Sequence, residues 1–252
     1  MQIQDSVAIV SGGNRGIGQG FVRGLLAAGA RKVYVGARDP QSARHLEREF
    51  PGRAIAITLD VTDHVAVEAA ALECDDVSIV INNAGAFHNQ LLIGAQDILA
   101  ARNEMDVNYF GPLLMSRAFA SILARSESSA ILNVLSVGAI LAVPNMGGYS
   151  PSKFAAHALT TILRAELSGQ GTHVGCLIVG SVDTRMAQHV AGEKERPEDI
   201  AKAGVAAIKN KICEMDTDMF ALKMRAALHR DPAALEQRMA ASVFSSELST
   251  GR

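Results

Sequence analysis

Short, almost unbroken apolar runs alternate along the chain with longer stretches in which apolar residues return every three or four positions. The runs are 6–10 (SVAIV), 32–36 (KVYVG), 54–58 (AIAIT), 77–81 (VSIVI), 130–135 (AILNVL) and 173–178 (HVGCLI). Runs that are apolar at successive positions predict parallel strands covered on both faces. The periodic stretches predict helices over 17–29, 63–73, 96–124 and 152–169; in the last, Leu159, Ile162, Leu163 and Leu167 form one stripe. This alternation predicts an α/β fold, a Rossmann-like doubly wound parallel sheet. No linker-like tract or internal repeat divides the chain, so 1–252 is expected to be a single domain. Residues 185–252 change character: a loop, a helix with Pro197 near its start, and two more helices broken between Asp231 and Pro232 make a helical C-terminal extension. Residues 245–252 read as a frayed end.

Composition narrows the possibilities. With 252 residues and 48% hydrophobic content, the chain can bury a sizeable core. A net charge of −2 gives no electrostatic case for nucleic acid or an anionic membrane, and 4% aromatics with no Trp leaves no base-stacking platform. Cys74, Cys176 and Cys213 are odd in number and far apart, with no CxxC or Cys/His cluster, so neither disulfides nor a metal site is expected. That fits a cytoplasmic protein. The start, MQIQDSVAIV, has no basic region followed by a long apolar run, and the most apolar stretch, 130–143, is interrupted by Asn133, Ser136 and Gly138. No signal peptide and no bilayer span are expected.

The first run leads into SGGNRGIGQG, where Gly12, Gly16 and Gly18 are spaced G-x3-G-x-G and a helical pattern follows. One glycine permits a tight turn, the next lets backbone approach a pyrophosphate, and the helix N-terminus supplies N–H groups and a positive dipole end. The absence of a following GK[ST] excludes a Walker loop. Asp60, ending the third run, is placed to accept from an adenine amino group; Asp60 or Thr62 would equally cap the next helix. INNAG (81–85) ends the fourth run at the sheet edge where ligands bind, although Asn and Gly also make plain turns.

Tyr149 and Lys153 stand four apart, with Pro151 between them, so the pair falls at the mouth of a helix. Alone, the spacing describes any pair of side chains reaching to water. Together with the glycine loop, DV (60–61), NNAG (82–85), MDVNYFG around Asn108, NVLSVGA around Ser136 and YSPSK (149–153), it resembles the classical short-chain dehydrogenase/reductase family over residues 7–200. The resemblance implies a nicotinamide dinucleotide on Gly12, Asn14, Arg15, Gly16, Ile17, Gly18, Arg38, Asp60, Val61, Asn83, Ala84, Gly85, Val182 and Thr184, with Tyr149 and Lys153 also touching it. It implies Ser136, Tyr149, Lys153 and Asn108 as catalytic residues: Ser136 orienting a carbonyl, Tyr149 as general acid or base, Lys153 lowering the tyrosine pKa, and Asn108 holding a water beside the lysine. Two departures stand out. The family's PG after the sixth strand is Val179 and Gly180 here, which is expected to loosen that turn. No terminal strand with a glycine-rich tail is recognisable after Met215, which favours a dimer built from helices near 96–124 and 152–169 over a tetramer.

An NAD site usually has an acidic residue at the end of the second strand. Here that position holds Ala37, followed by Arg38, and Arg15 approaches the same ribose from the glycine loop. Two guanidinium groups favour a 2′-phosphate, hence NADP (NADPH) over NAD, provided that Asp39 points away. The loops 86–92, 138–146 and 184–197 bring Phe87, Ile140, Leu141, Met146 and Met186 to the sheet edge. An apolar wall of this kind favours a hydrophobic ketone, aldehyde or secondary alcohol as small-molecule substrate, that is, a carbonyl reductase. The alternatives are a non-catalytic NADP-binding redox sensor, which needs only the glycine loop, and an NAD-dependent alcohol dehydrogenase. His88, His157 and His189 have no partner at a telling spacing and read as packing or surface residues.

Overall fold

A computed structural model describes residues 1–188 and 190–249. Seven parallel strands lie in the order β3-β2-β1-β4-β5-β6-β7: β1 Val7–Ser11, β2 Lys32–Ala37, β3 Ala54–Thr58, β4 Ile79–Asn82, β5 Ala130–Val134, β6 His173–Ile178 and β7 Glu214–Asp216. Helices α1 Gly16–Ala27, α2 Arg44–Glu49, α3 His64–Glu73, α4 Leu99–Met105, α5 Gly111–Leu123, α6 Tyr149–Glu166 and α7 Pro197–Lys209 connect them, and α8 Met219–Arg230 and α9 Pro232–Ser249 follow. This is a Rossmann-like doubly wound sheet, with the strand order reversing between β1 and β4. Ligands bind at such a switch point, beyond the carboxyl ends of the strands.

The apolar runs serve two cores at once. Ala8 and Val10 of β1 face one core with Phe21, Leu25, Val205 and Ile208 of α1 and α7; Val7 and Ile9 face the other with Phe119, Leu123 and Leu163. Alternate residues of one strand thus bury in opposite directions, which is why the run is apolar throughout. Helices α1 and α7 pack closely: a Cβ on Gly204 would sit 2.4 Å from the Phe21 ring. A third cluster gathers Leu135, Ala156, Ile178, Ala221, Ala227 and Leu235 under α8 and α9, and α9 also lies against the turn Pro144–Met146. Among the described residues no helix is long and apolar enough to cross a membrane.

Several expectations are corrected. A seventh strand exists that no apolar run announces. β7 has the sequence EMD, too short and polar to show as an apolar run, and it holds its register against β6 with Cys176 opposite Glu214. The expected helix 96–124 is two helices joined by a wider π-type turn, Asp106–Phe110, a feature frequent at functional sites. Helix α3 is capped by Asp63, whose carboxylate accepts from Val65 N and Ala66 N, rather than by Asp60 or Thr62. Helix α2 had no clear periodicity to announce it. The break between Asp231 and Pro232 is as expected, but α9 continues to Ser249 where fraying was expected from 245; residues 250–252 lie outside the described residues, as does His189.

Candidate active site

The glycine loop leaves β1 at Ser11. The Ser11 hydroxyl accepts from Asn83 N (3.0 Å) and Ala84 N (3.1 Å) and donates to Ile81 O (3.3 Å), tying the loop to the end of β4. Asn83 closes the tie by donating its Nδ2 to the Ser11 and Gly12 carbonyls at 3.0 and 3.1 Å. Gly12 has φ +63°, a conformation that favours glycine. A Cβ on Gly18 would stand 2.2 Å from the Gly12 carbonyl oxygen, so only glycine fits there. No side chain caps α1, whose Ncap is Arg15, and the N–H groups around Gly16, Ile17 and Gly18 open toward the loop with the positive end of the helix dipole. The donor set and the cradle fit a pyrophosphate.

At the end of β2, Arg38 and Arg15 are both exposed, and neither makes an ion pair among the described residues. Asp39 does not engage Arg38: its carboxylate accepts from Gln41 N at 2.9 Å and caps the turn Pro40–Ala43. Asn14 donates to Ser42 Oγ (2.9 Å), linking the loop to that turn. Asp60 accepts from Thr62 N and Oγ1, and Val61 is buried behind it. Val182, bridged to Glu195, and Thr184 bring the segment after β6 back to the loop, where the Thr184 methyl stands 3.2 Å from the place of a Cβ on Gly16. The turn at Val179 and Gly180 is not loose. The buried Asp218 carboxylate accepts from Gly180 N at 2.7 Å while capping α8 at Ala221 N, an anchor that replaces the missing proline.

The catalytic candidates converge at the ends of β5 and α6. Ser136 lies just past β5, its hydroxyl accepting from Gly138 N at 3.1 Å. Tyr149 is the first residue of α6 and Lys153 lies one turn on, both buried, with Nζ 5.6 Å from the Tyr149 ring centroid and donating to Val134 O at 3.0 Å. Phe87 packs edge-on against Tyr149 at 5.1 Å. Asn108, in the π-type turn, accepts from Ala86 N and donates to Ala86 O and Ser152 Oγ, all at 2.9 Å. Both of its N–H donors are engaged, which leaves one acceptor lone pair for a water.

Electrostatics depart from the sequence expectation. Burial pushes the Tyr149 hydroxyl up to about 12, with a hydrogen bond to Ser136 opposing and the Glu104 charge adding. Burial pushes the Lys153 ammonium down to about 8. Desolvation penalises both charged forms, and burial is the largest cause of the upward shift at Tyr149, with Lys153 Nζ 5.6 Å from the ring centroid.

Of the proposed substrate wall, Phe87 stands against Tyr149, Met146 lies near Gly138, and Met186 is part-exposed near Gly85. Ile140 packs on the third core cluster, and Leu141, 6% exposed, belongs to it and forms no open wall. The histidines do have partners: His157 bonds Glu214 at 2.5 Å, and His88 bonds Asn103 at 2.8 Å. Cys176 joins His157 and Glu214, with ligand atoms within 4.8 Å of one another, but the Glu214 oxygens are already engaged by His157 and Arg225. Residues without a sequence signal also shape the site. Asn82 donates to Asn133, and Asn133 to Thr160, both at 2.8 Å, a buried amide chain fastening β4 and β5 to α6.

Residues 6–195 match the family model described as short chain dehydrogenase. The chain belongs to the short-chain dehydrogenase family. A short chain dehydrogenase from Burkholderia cenocepacia J2315, solved in complex with NADP, is 38% identical, covers 95% of this chain and 99% of its own, and superposes with a TM-score of 0.89. Galactitol 2-dehydrogenase (L-tagatose-forming) from Cereibacter sphaeroides is 34% identical over 78% of each chain. Short chain dehydrogenase tazN from Aspergillus terreus is 35% identical over 66% of this chain but only 39% of its own. With pigC of Monascus ruber the match spans 60% of that protein, so the chain spans less than two thirds of these two curated relatives.

Proposed function

We propose that the chain is an NADP(H)-dependent oxidoreductase of the carbonyl reductase type, acting on a hydrophobic ketone or aldehyde and its secondary alcohol. The observation that carries this reading is the convergence of Ser136, Tyr149 and Lys153 beside a glycine cradle, at the carboxyl edge of the sheet. The bound nicotinamide would supply the hydride. Ser136 orients the carbonyl oxygen by hydrogen bond, and Tyr149 donates a proton to the developing alkoxide. Lys153, buried one turn away, anchors the end of β5 through Val134 O, and would bond the nicotinamide ribose. Asn108 braces Ala86 against α6 through Ser152 and keeps one lone pair for a water. Arg38 and Arg15, left unpaired while Asp39 caps a turn, support the 2′-phosphate preference, as does the NADP held by the Burkholderia relative. Phe87, Met146 and Met186 support a hydrophobic substrate. A homodimer through the α4–α5 and α6 faces and a cytoplasmic location complete the reading.

The test is a panel of ketones, aldehydes and polyols assayed with NADPH and with NADH by nicotinamide absorbance. Reduction of hydrophobic carbonyls with NADPH favoured is the expected result. Turnover of no carbonyl, or of polyols only, would overturn it.

A further inference from the structure

Glu104 lies on α4, where an acid reads as a solvent-facing residue, yet it is 2% exposed. The helix turns it inward against two other pieces of the site. Its Oε1 accepts from the His88 backbone N–H at 2.7 Å, fastening the segment that carries Phe87. On its other side the catalytic turn is so close that a Cβ on Gly148 would lie 2.7 Å from Glu104 Oε2 and 2.5 Å from Ala101 Cα. One carboxyl group therefore stands between the segment bearing Phe87 and the residue that precedes Tyr149, and Phe87 in turn packs on the Tyr149 ring.

The charge has a direction of effect. A negative Glu104 raises the Tyr149 pKa by disfavouring a second negative charge nearby. Burial pushes Glu104 itself upward, while the His88 N–H bond favours its ionised form. The titratable groups around it are His88 on the segment, Asp97 before α4 and Tyr149 on α6; Lys153 is directed to Val134 O. In the alkaline range where a tyrosine ionises, Glu104 is a carboxylate and opposes the phenolate.

We propose that Glu104 is a positioning residue for the reaction above: it clasps segment 86–92 onto the turn at Gly148 that leads into Tyr149, and so seats Phe87 against the Tyr149 ring. The proposal rests on Tyr149 being the proton donor.

Glu104→Gln keeps an acceptor for His88 N and removes the charge; Glu104→Ala removes both. The first measurement needs no turnover. Phenolate absorbance of the NADP-loaded protein is followed from neutral pH upward, with Tyr149→Phe subtracted to isolate Tyr149 from the chain's other two tyrosines. Tyr149 should ionise about one unit lower in Glu104→Gln, the size of a near like-charge effect, because the clasp holds the carboxylate beside it. The second is steady-state reduction: KM for the carbonyl should stay within about twofold in Glu104→Gln and rise about tenfold in Glu104→Ala, as for loss of a buried charge-assisted bond. Should Glu104→Ala fail to fold, the near-isosteric Glu104→Gln still decides. Wild-type titration in Glu104→Gln, or equal KM increases in both variants, would overturn the proposal. If the wild type reduced no carbonyl, the functional reading would fail, while the phenolate titration would still decide whether the Glu104 carboxylate is held beside Tyr149.

Discussion

Replacing Arg38 by alanine probes the cofactor preference at its source. The guanidinium is exposed at the end of β2 and makes no ion pair among the described residues, while Asp39 is held as a turn cap by its bond to Gln41 N. Among the described residues Arg38 thus has no ion-pair partner to lose, and its removal should leave folding within ~0.5 kcal/mol of wild type. A charge-assisted bond to a phosphate contributes about 1.5–3 kcal/mol when shielded from water. Both guanidinium groups here are exposed, so the lower end applies, equivalent to about tenfold in affinity for each. Arg15, on the glycine loop, would supply the second contact, so the variant should keep part of the preference. The assay is kcat/KM with NADPH and with NADH for wild type and Arg38→Ala, at fixed ionic strength. The expected result is a NADPH preference that narrows about tenfold, through a higher KM for NADPH with NADH little changed. An unchanged ratio would show that Arg38 does not read the phosphate, and equal kcat/KM for both cofactors in wild type would refute the preference itself.

Three further outcomes follow from the packing. Gly18→Ala drives a Cβ to 2.2 Å from the Gly12 carbonyl, so the cradle must shift; NADPH affinity by fluorescence titration should fall at least ~10-fold, and an unchanged Kd would contradict the cradle. Gly204→Ala sets a Cβ at 2.4 Å from Phe21 in the α1–α7 contact and should cost about 1–3 kcal/mol, seen by calorimetry as a Tm lowered by roughly 3–10 °C. Phe110, Phe154 and Ile162 leave apolar surface exposed at the π-type turn before α5 and along α6, so light scattering should give a dimer; a monomer or a stable tetramer at micromolar concentration would count against that face as the interface.

The legible and illegible parts of this chain differ in a physical way. Strands buried on both faces must be apolar at every position, so β1, β2 and β5 stood out, as did the helix opening at Tyr149, where Pro151 is tolerated only in a first turn. β7 did not, because an edge strand of three residues with two acids is held by its neighbour and by ion pairs from Arg225, not by an apolar run. The Asp218 anchor at Gly180 joins residues 38 apart in sequence, and no spacing rule connects them. Glu104 and the Asn82–Asn133–Thr160 chain are polar groups turned inward, and a periodicity read from hydrophobicity assigns such residues to the surface. Lys153 was readable as a partner of Tyr149 from the four-residue spacing, but the net shift at Tyr149 is dominated by its own burial, which a spacing does not carry.

The central claim is that Tyr149 gives the proton to the reduced carbonyl. Tyr149→Phe removes one oxygen and keeps the ring against Phe87, so the fold and NADPH binding should persist. The decisive measurement is kcat of this variant with NADPH and the best carbonyl substrate of the panel. A fall of at least ~100-fold, with NADPH affinity within about twofold of wild type, is the predicted result. Wild-type kcat in Tyr149→Phe would contradict the account.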